Sequence, residues 1–214
     1  AMISLIGGRV IPAFTVVAIH GRGEKAKQTP QEKLDVMAFL SLALIILVLM
    51  FIGQEGAILA VTAFISALIH AIRMRRYHTR RILGDPMILI LHVGYGWVIV
   101  GLLLLGVTAL NILPFSISLH AFTVGAIGSM TLGMMCRLAL AHTGRNLNAT
   151  KLTVLIFALL QCAAFMRVFG LVIAPDITEQ WLIGSAMLWA LCFFLYILIY
   201  VPMLWKPDLD ERVV

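Results

Sequence analysis

The chain has 214 residues, 62% of them hydrophobic and 12% charged, with a formal charge of +6 and a mean hydropathy of +1.04. A soluble domain carries about 25% charged and 45–50% apolar residues, so this composition excludes an ordinary soluble fold. The positive charge sits in loops between apolar runs, which suits a membrane surface and gives no support to nucleic-acid binding.

Taken in order, Ala1 to Ile19 is apolar apart from Arg9, with Gly7, Gly8 and Pro12 in its middle. It reads as a partial transmembrane helix over residues 1–19, the latter part of a span whose start lies upstream. It is not a secretory signal, because Arg9 interrupts the run and no small-residue cleavage site follows. Residues 20–35 form a basic loop expected to be cytoplasmic, with Arg22, Lys25, Lys27 and Lys33. Within it, Thr29-Pro30-Gln31-Glu32 reads as a helix start, with threonine as the cap and proline at the first helical position. Residues 36–205 are expected to hold six full transmembrane spans, near 34–52, 57–73, 87–110, 115–138, 152–173 and 181–201. Each is long enough to cross ~30 Å of hydrocarbon. The polar tail is 206–214. The expected fold is therefore all-α: a polytopic membrane helical bundle of six full transmembrane spans plus an N-terminal partial span.

Loop charge sets the expected orientation. Alternate loops carry 14 of the 16 Lys and Arg, and the intervening loops carry none but hold Glu55, Asp176 and Glu179. By the positive-inside rule the basic loops and the C-terminal tail face the cytoplasm. The two remaining cations, Arg9 and Arg167, lie inside apolar runs, where a charge usually marks a functional or paired position.

The fourth full span carries Ala121, Gly125, Ser129 and Gly133, each four residues after the last. Residues four apart stack on one helical face, so these small side chains form a groove for close approach of a neighbouring helix.

The histidines are the candidates for chemistry. His70, His92 and His142 are expected near the basic side, whereas His120 and Arg167 could share a layer at the opposite side. Imidazole in an apolar span can ligate haem or another metal, relay protons, or hydrogen-bond a carbonyl. His92, His120 and His142 are the candidate metal ligands. A rise of ~1.5 Å per residue separates the His92 and His120 levels by roughly 15–20 Å, so one metal does not easily bind both. Arg137 and Arg145 are candidates to clamp an anionic group such as a haem propionate, or to anchor lipid headgroups. His20 and His78 read as solvated loop residues.

Other chemistry lacks support. Cys136, Cys162 and Cys192 show no CxxC spacing, so neither a structural disulfide nor a zinc site is expected. Met134-Met135-Cys136 is the one place where soft ligands bunch, and adjacent helical positions point apart, which makes it a weak copper site. The 11 methionines read mainly as flexible packing. Phosphate-loop, GxSxG, HExxH and CxxCH motifs are all missing. The cores of the six spans lack carboxylates, which argues against an acid-driven proton transporter.

The run HAFTVGAIGSMTLGMMCRLALAHTGR, with IGGRVIPAFT upstream and LHVGYGWVIVGLLLLG, resembles the NnrS family. These are bacterial polytopic membrane proteins linked to nitric oxide metabolism and nitrosative stress. The resemblance runs from Ile6 to about Asn148. It implies a haem- and copper-containing protein of the bacterial inner membrane, with His92, His120, His142, Arg137 and Arg145 at the family's motif positions. It implies haem ligation by His92 and His120, and Arg167 joins them as a candidate cofactor-binding residue. Family members are roughly twice as long, with a histidine-rich N-terminal half, so this chain corresponds to the C-terminal half.

The expected function is haem-linked protection against, or response to, nitric oxide. Expected partners are the bilayer, nitric oxide as a small ligand, and the N-terminal half. The alternative is a non-catalytic membrane subunit or cofactor-assembly factor for a respiratory complex. A transporter is the third reading, and no residue identifies a substrate site for it.

Overall fold

A computed structural model describes residues 2–28 and 30–205. The proposed cap at Thr29 and the tail 206–214 lie outside the described residues. Among those described, 81% helix and no strand are present, and seven helices are long and apolar enough to cross a membrane. They are α1 (Met2–Gly21), α2 (Glu32–Phe51), α3 (Ala57–Met74), α4 (Pro86–Ala109), α5 (Phe115–Ala141), α6 (Lys151–Ile173) and α7 (Thr178–Leu204). The leading segment, read from sequence as a partial span, forms a helix of 20 residues that passes through Pro12.

Local chemistry explains the boundaries. Pro86 takes the first position of α4, and the Asp85 carboxylate accepts from the Met87 and Ile88 amides at 3.1 and 3.3 Å. Both amides would otherwise lack partners at a helix start. Thr150 caps α6 by accepting from the Thr153 amide at 3.2 Å. At α2, Gln31 precedes the helix and makes no side-chain cap.

The central element is α4, with 61% of its spanning window buried against 17% for α2 and for α7. Its neighbours are α1, α3 and α5. The small stripe of α5 is the surface on which it lies: Ala121, Gly125, Ser129 and Gly133 are all buried. The Trp97 ring occupies the space beside Gly125, and Ile90 and Leu91 pack against Gly133. Gly94 answers from α4, facing Met130 and Ser129. Large side chains on one helix thus fill gaps left by glycines on the other. The Trp97 indole N–H donates to Gln161 Oε1, and the Gln161 amide donates to Ser129 Oγ, both at 2.8 Å. These bonds tie α4, α5 and α6 together.

Two helices are interrupted. Residues Ala121–Ile127 of α5 and Met166–Gly170 of α6 are π-helical. Ala121 of the first segment packs with Val168 of the second, together with Ile117 one turn before the first. A π turn widens the helix by one residue and recurs at functional positions.

Candidate functional site

One face of α1 is polar at the interior. Ser4, Gly8, Ile11, Thr15 and Ile19 are buried and spaced by three or four residues, so they share one stripe. This stripe meets the basic ends of α3 and α4. There it completes a buried layer containing His70, Arg73, Tyr77, His92 and Tyr95.

Arg73 is 2% exposed. Its Nε donates to Asp35 Oδ1 at 2.8 Å and its Nη2 pairs with the same oxygen at 2.6 Å. Its Nη1 donates to the Ser4 carbonyl at 2.8 Å and to the Tyr95 hydroxyl at 3.0 Å. The guanidinium rests against Gly8, in space that a Cβ there would need. A buried cation is tolerated when it is paired and its donors are used, and both conditions hold here.

The hydrogen-bond inventory fixes the tautomers. The Thr15 hydroxyl gives its one proton to the Ile11 carbonyl at 2.7 Å. It must therefore accept at 2.9 Å from His92, which carries its proton on Nε2. The His92 Nδ1 lone pair then accepts from the Thr79 hydroxyl at 2.9 Å. His70 is the reverse. Its Nδ1 faces the Ser66 carbonyl at 3.0 Å and must donate, so Nε2 accepts from Ser4 Oγ at 2.8 Å. Both rings are satisfied as neutral imidazoles. The chain Thr79–His92–Thr15 ends on a backbone carbonyl and clamps helices together.

Aromatic contacts link the two histidines. His70 stacks on Tyr95 at 5.9 Å, Tyr95 meets Tyr77 edge-on at 5.3 Å, and Tyr77 meets His92 at 6.2 Å. The Tyr77 hydroxyl is buried with no hydrogen-bond partner among the described residues. Loss of water and the neighbouring Tyr95 push this phenol well above its ordinary range.

The other residues singled out by sequence lie elsewhere. His142 is exposed beyond α5. Arg137 stands over the Phe14 ring at 4.2 Å, and Arg145 donates to the Thr143 carbonyl at 3.2 Å near its own helix end. His120 and Arg167 are half-buried on the two facing π-interrupted helices, and neither makes a side-chain hydrogen bond or ion pair among the described residues. No group of three His, Cys, Asp or Glu side chains converges among the described residues, so His92, His120 and His142 do not form a common centre. Cys136 and Cys192 are buried, Cys162 is exposed, and all three are free.

The profile described as NnrS protein matches residues 1–208. The chain belongs to the NnrS family. No curated protein and no solved structure matches it. In this NnrS chain the histidines at the motif positions thus divide into two kinds. His92 is locked by hydroxyls on both nitrogens, whereas the His120 ring has no hydrogen-bond partner among the described residues. Sequence reading missed Ser4, Thr15, Arg73, Tyr77 and Thr79 as parts of the buried layer. The stripe of small polar residues on α1, at helical spacing within an apolar run, was the available clue.

Proposed function

We propose that this chain acts as an NnrS-type membrane protein in the response to nitric oxide, with haem held at His120. The observation that carries the assignment within the chain is the His120 imidazole, which has no hydrogen-bond partner among the described residues. A haem ligand needs a nitrogen lone pair facing the iron. His70 and His92 spend theirs on Ser4 and Thr79, so neither fits without losing a hydrogen bond. His120 fits, and Arg167, without an ion-pair partner among the described residues, is the cation suited to a propionate.

When bound, haem iron supplies the site at which nitric oxide coordinates. The chain's own residues do the rest. His120 fixes position from the π-interrupted α5. Trp97 and Phe169, 6.0 Å apart, wall the neighbouring interior with aromatic surface and keep water out. The apolar bundle admits a small neutral gas and resists ions.

The test is the visible spectrum of the purified protein, oxidised and reduced, after haem-replete expression. A Soret band that survives His92→Ala and disappears in His120→Ala supports the assignment. A band lost in His92→Ala and kept in His120→Ala overturns it. A protein with no band, whose deletion leaves a respiratory enzyme short of its cofactor, moves the reading to a membrane assembly factor.

A further inference from the structure

Arg9 looks from sequence like a charge stranded in hydrocarbon. Its surroundings place it differently. The turn of α1 that carries Ser4 and Gly8 touches Arg73 at the C-terminal end of α3. Arg9 itself shares cavities with Glu32 and Asp35 in the first turn of α2. On this flank α3 ends and α2 begins while α1 runs on to Gly21, so Arg9 faces a recess between helix ends and not a continuous helical wall.

Two adjoining cavities meet at Arg9 and Asp35. One, of about 450 Å³, is mainly polar and also bounded by Gln28, Gln31 and Glu32. The other, of about 200 Å³, is walled by Leu5, Val36 and Phe39. Those three side chains are 47–56% exposed on the flank. Arg9 makes no ion pair among the described residues, and neither does Glu32. The buried Gln31 Oε1 has no donor among the described residues. Among the described residues, a polar chamber thus holds a cation and a carboxylate without ion-pair partners and an acceptor without a donor, and an apolar groove opens beside it.

We propose that this chamber binds the headgroup of a zwitterionic phospholipid bearing a primary ammonium. The phosphate pairs with Arg9. The ammonium donates to Glu32 and to Gln31 Oε1, and an acyl chain lies along Leu5, Val36 and Phe39. Charge and donor count select this class. An anionic headgroup such as phosphatidylglycerol offers the same phosphate to Arg9 but brings no ammonium to balance Glu32 and Asp35 or to donate to Gln31. A choline headgroup has no N–H for Gln31. The site is independent of the haem reading.

The test uses the whole protein, purified in mild detergent and stripped of lipid. Phosphatidylethanolamine, phosphatidylcholine or phosphatidylglycerol is added in mixed micelles, and soluble phosphoethanolamine is added separately. Bound lipid is counted by native mass spectrometry. Phosphatidylethanolamine should bind, about tenfold more tightly than to Arg9→Gln or Glu32→Gln, the loss expected for one charge-assisted hydrogen bond. Gln31→Leu, which keeps both charges, should bring ethanolamine and choline lipids close to parity. Binding of soluble phosphoethanolamine as tight as that of the lipid would remove the acyl groove from the proposal. Equal retention of phosphatidylglycerol, or affinity unchanged in both charge variants, overturns it.

Discussion

The guanidinium of Arg73 fills the space that a side chain at Gly8 would take. Glycine on α1 is therefore what allows a cation at the end of α3 to reach Ser4, Tyr95 and Asp35 together. Gly8→Ala should push the guanidinium off these partners. Arg73 is buried while Asp35 is one-third exposed, so displacing the guanidinium costs less than the ~3–5 kcal/mol of removing a partner from a fully buried pair, and a clear drop in detergent melting temperature is expected. A melting temperature equal to wild type would mean that Arg73 does not pack on Gly8.

The α4–α5 seam gives a graded pair. Gly125→Val collides with the Trp97 ring, whereas a Cβ at Gly96 meets nothing within 4 Å. Overpacking costs typically ~1–3 kcal/mol. Chemical or thermal unfolding should show that loss for Gly125→Val and about 0.5 kcal/mol or less for Gly96→Ala. Equal losses would refute the contact geometry.

His92 should show one tautomer, protonated at Nε2, in nitrogen NMR of histidine-labelled protein. Thr15→Val strands that N–H in the interior at a cost of about 1–3 kcal/mol. Thr79→Val leaves Nδ1 without its donor and keeps the Nε2 proton in place. A wild-type His92 protonated at Nδ1 would reverse the assignment of both hydroxyls.

The loop ahead of α2 is strapped to the loop ahead of α4. Arg81 pairs with Glu24, and Arg22 lies 3.6 Å from Asp85. The hydrogen bond from Arg81 holds the exposed Glu24 carboxyl below its ordinary 4.5. The sign follows from linkage: a carboxyl depressed on folding stabilises above 4.5 and loses that contribution as pH falls through the lower folded value. Amide protection factors in residues 22–27 and 79–85, with the intrinsic pH dependence of exchange divided out, should fall over that acidic window, and Glu24→Gln should show the lower protection already at neutral pH. An acidic window unchanged in Glu24→Gln would assign the effect to another group.

Much of the scaffold was legible because it rests on local rules. The Asp85-Pro86 start of α4 needs only two residues and a helix dipole. The stripe Ala121, Gly125, Ser129 and Gly133 follows from helical periodicity alone, and it is buried against α4 as that periodicity implies. Arg73 reads from sequence as one more cation of a basic loop, yet it is among the most buried polar groups in the bundle. Its partners Asp35, Ser4 and Tyr95 lie 38, 69 and 22 residues away, a distance no local pattern spans.

The sequence by itself determined the membrane-spanning helical class and the family, because mean hydropathy, span length and a long motif run are properties of the linear chain. Only the tertiary structure decided which histidine nitrogens are occupied. A hydroxyl in an apolar run can face lipid, its own helix or a neighbour, and the choice depends on how α1 rotates against α3 and α4. That rotation turns Thr15 onto His92 and Ser4 onto His70.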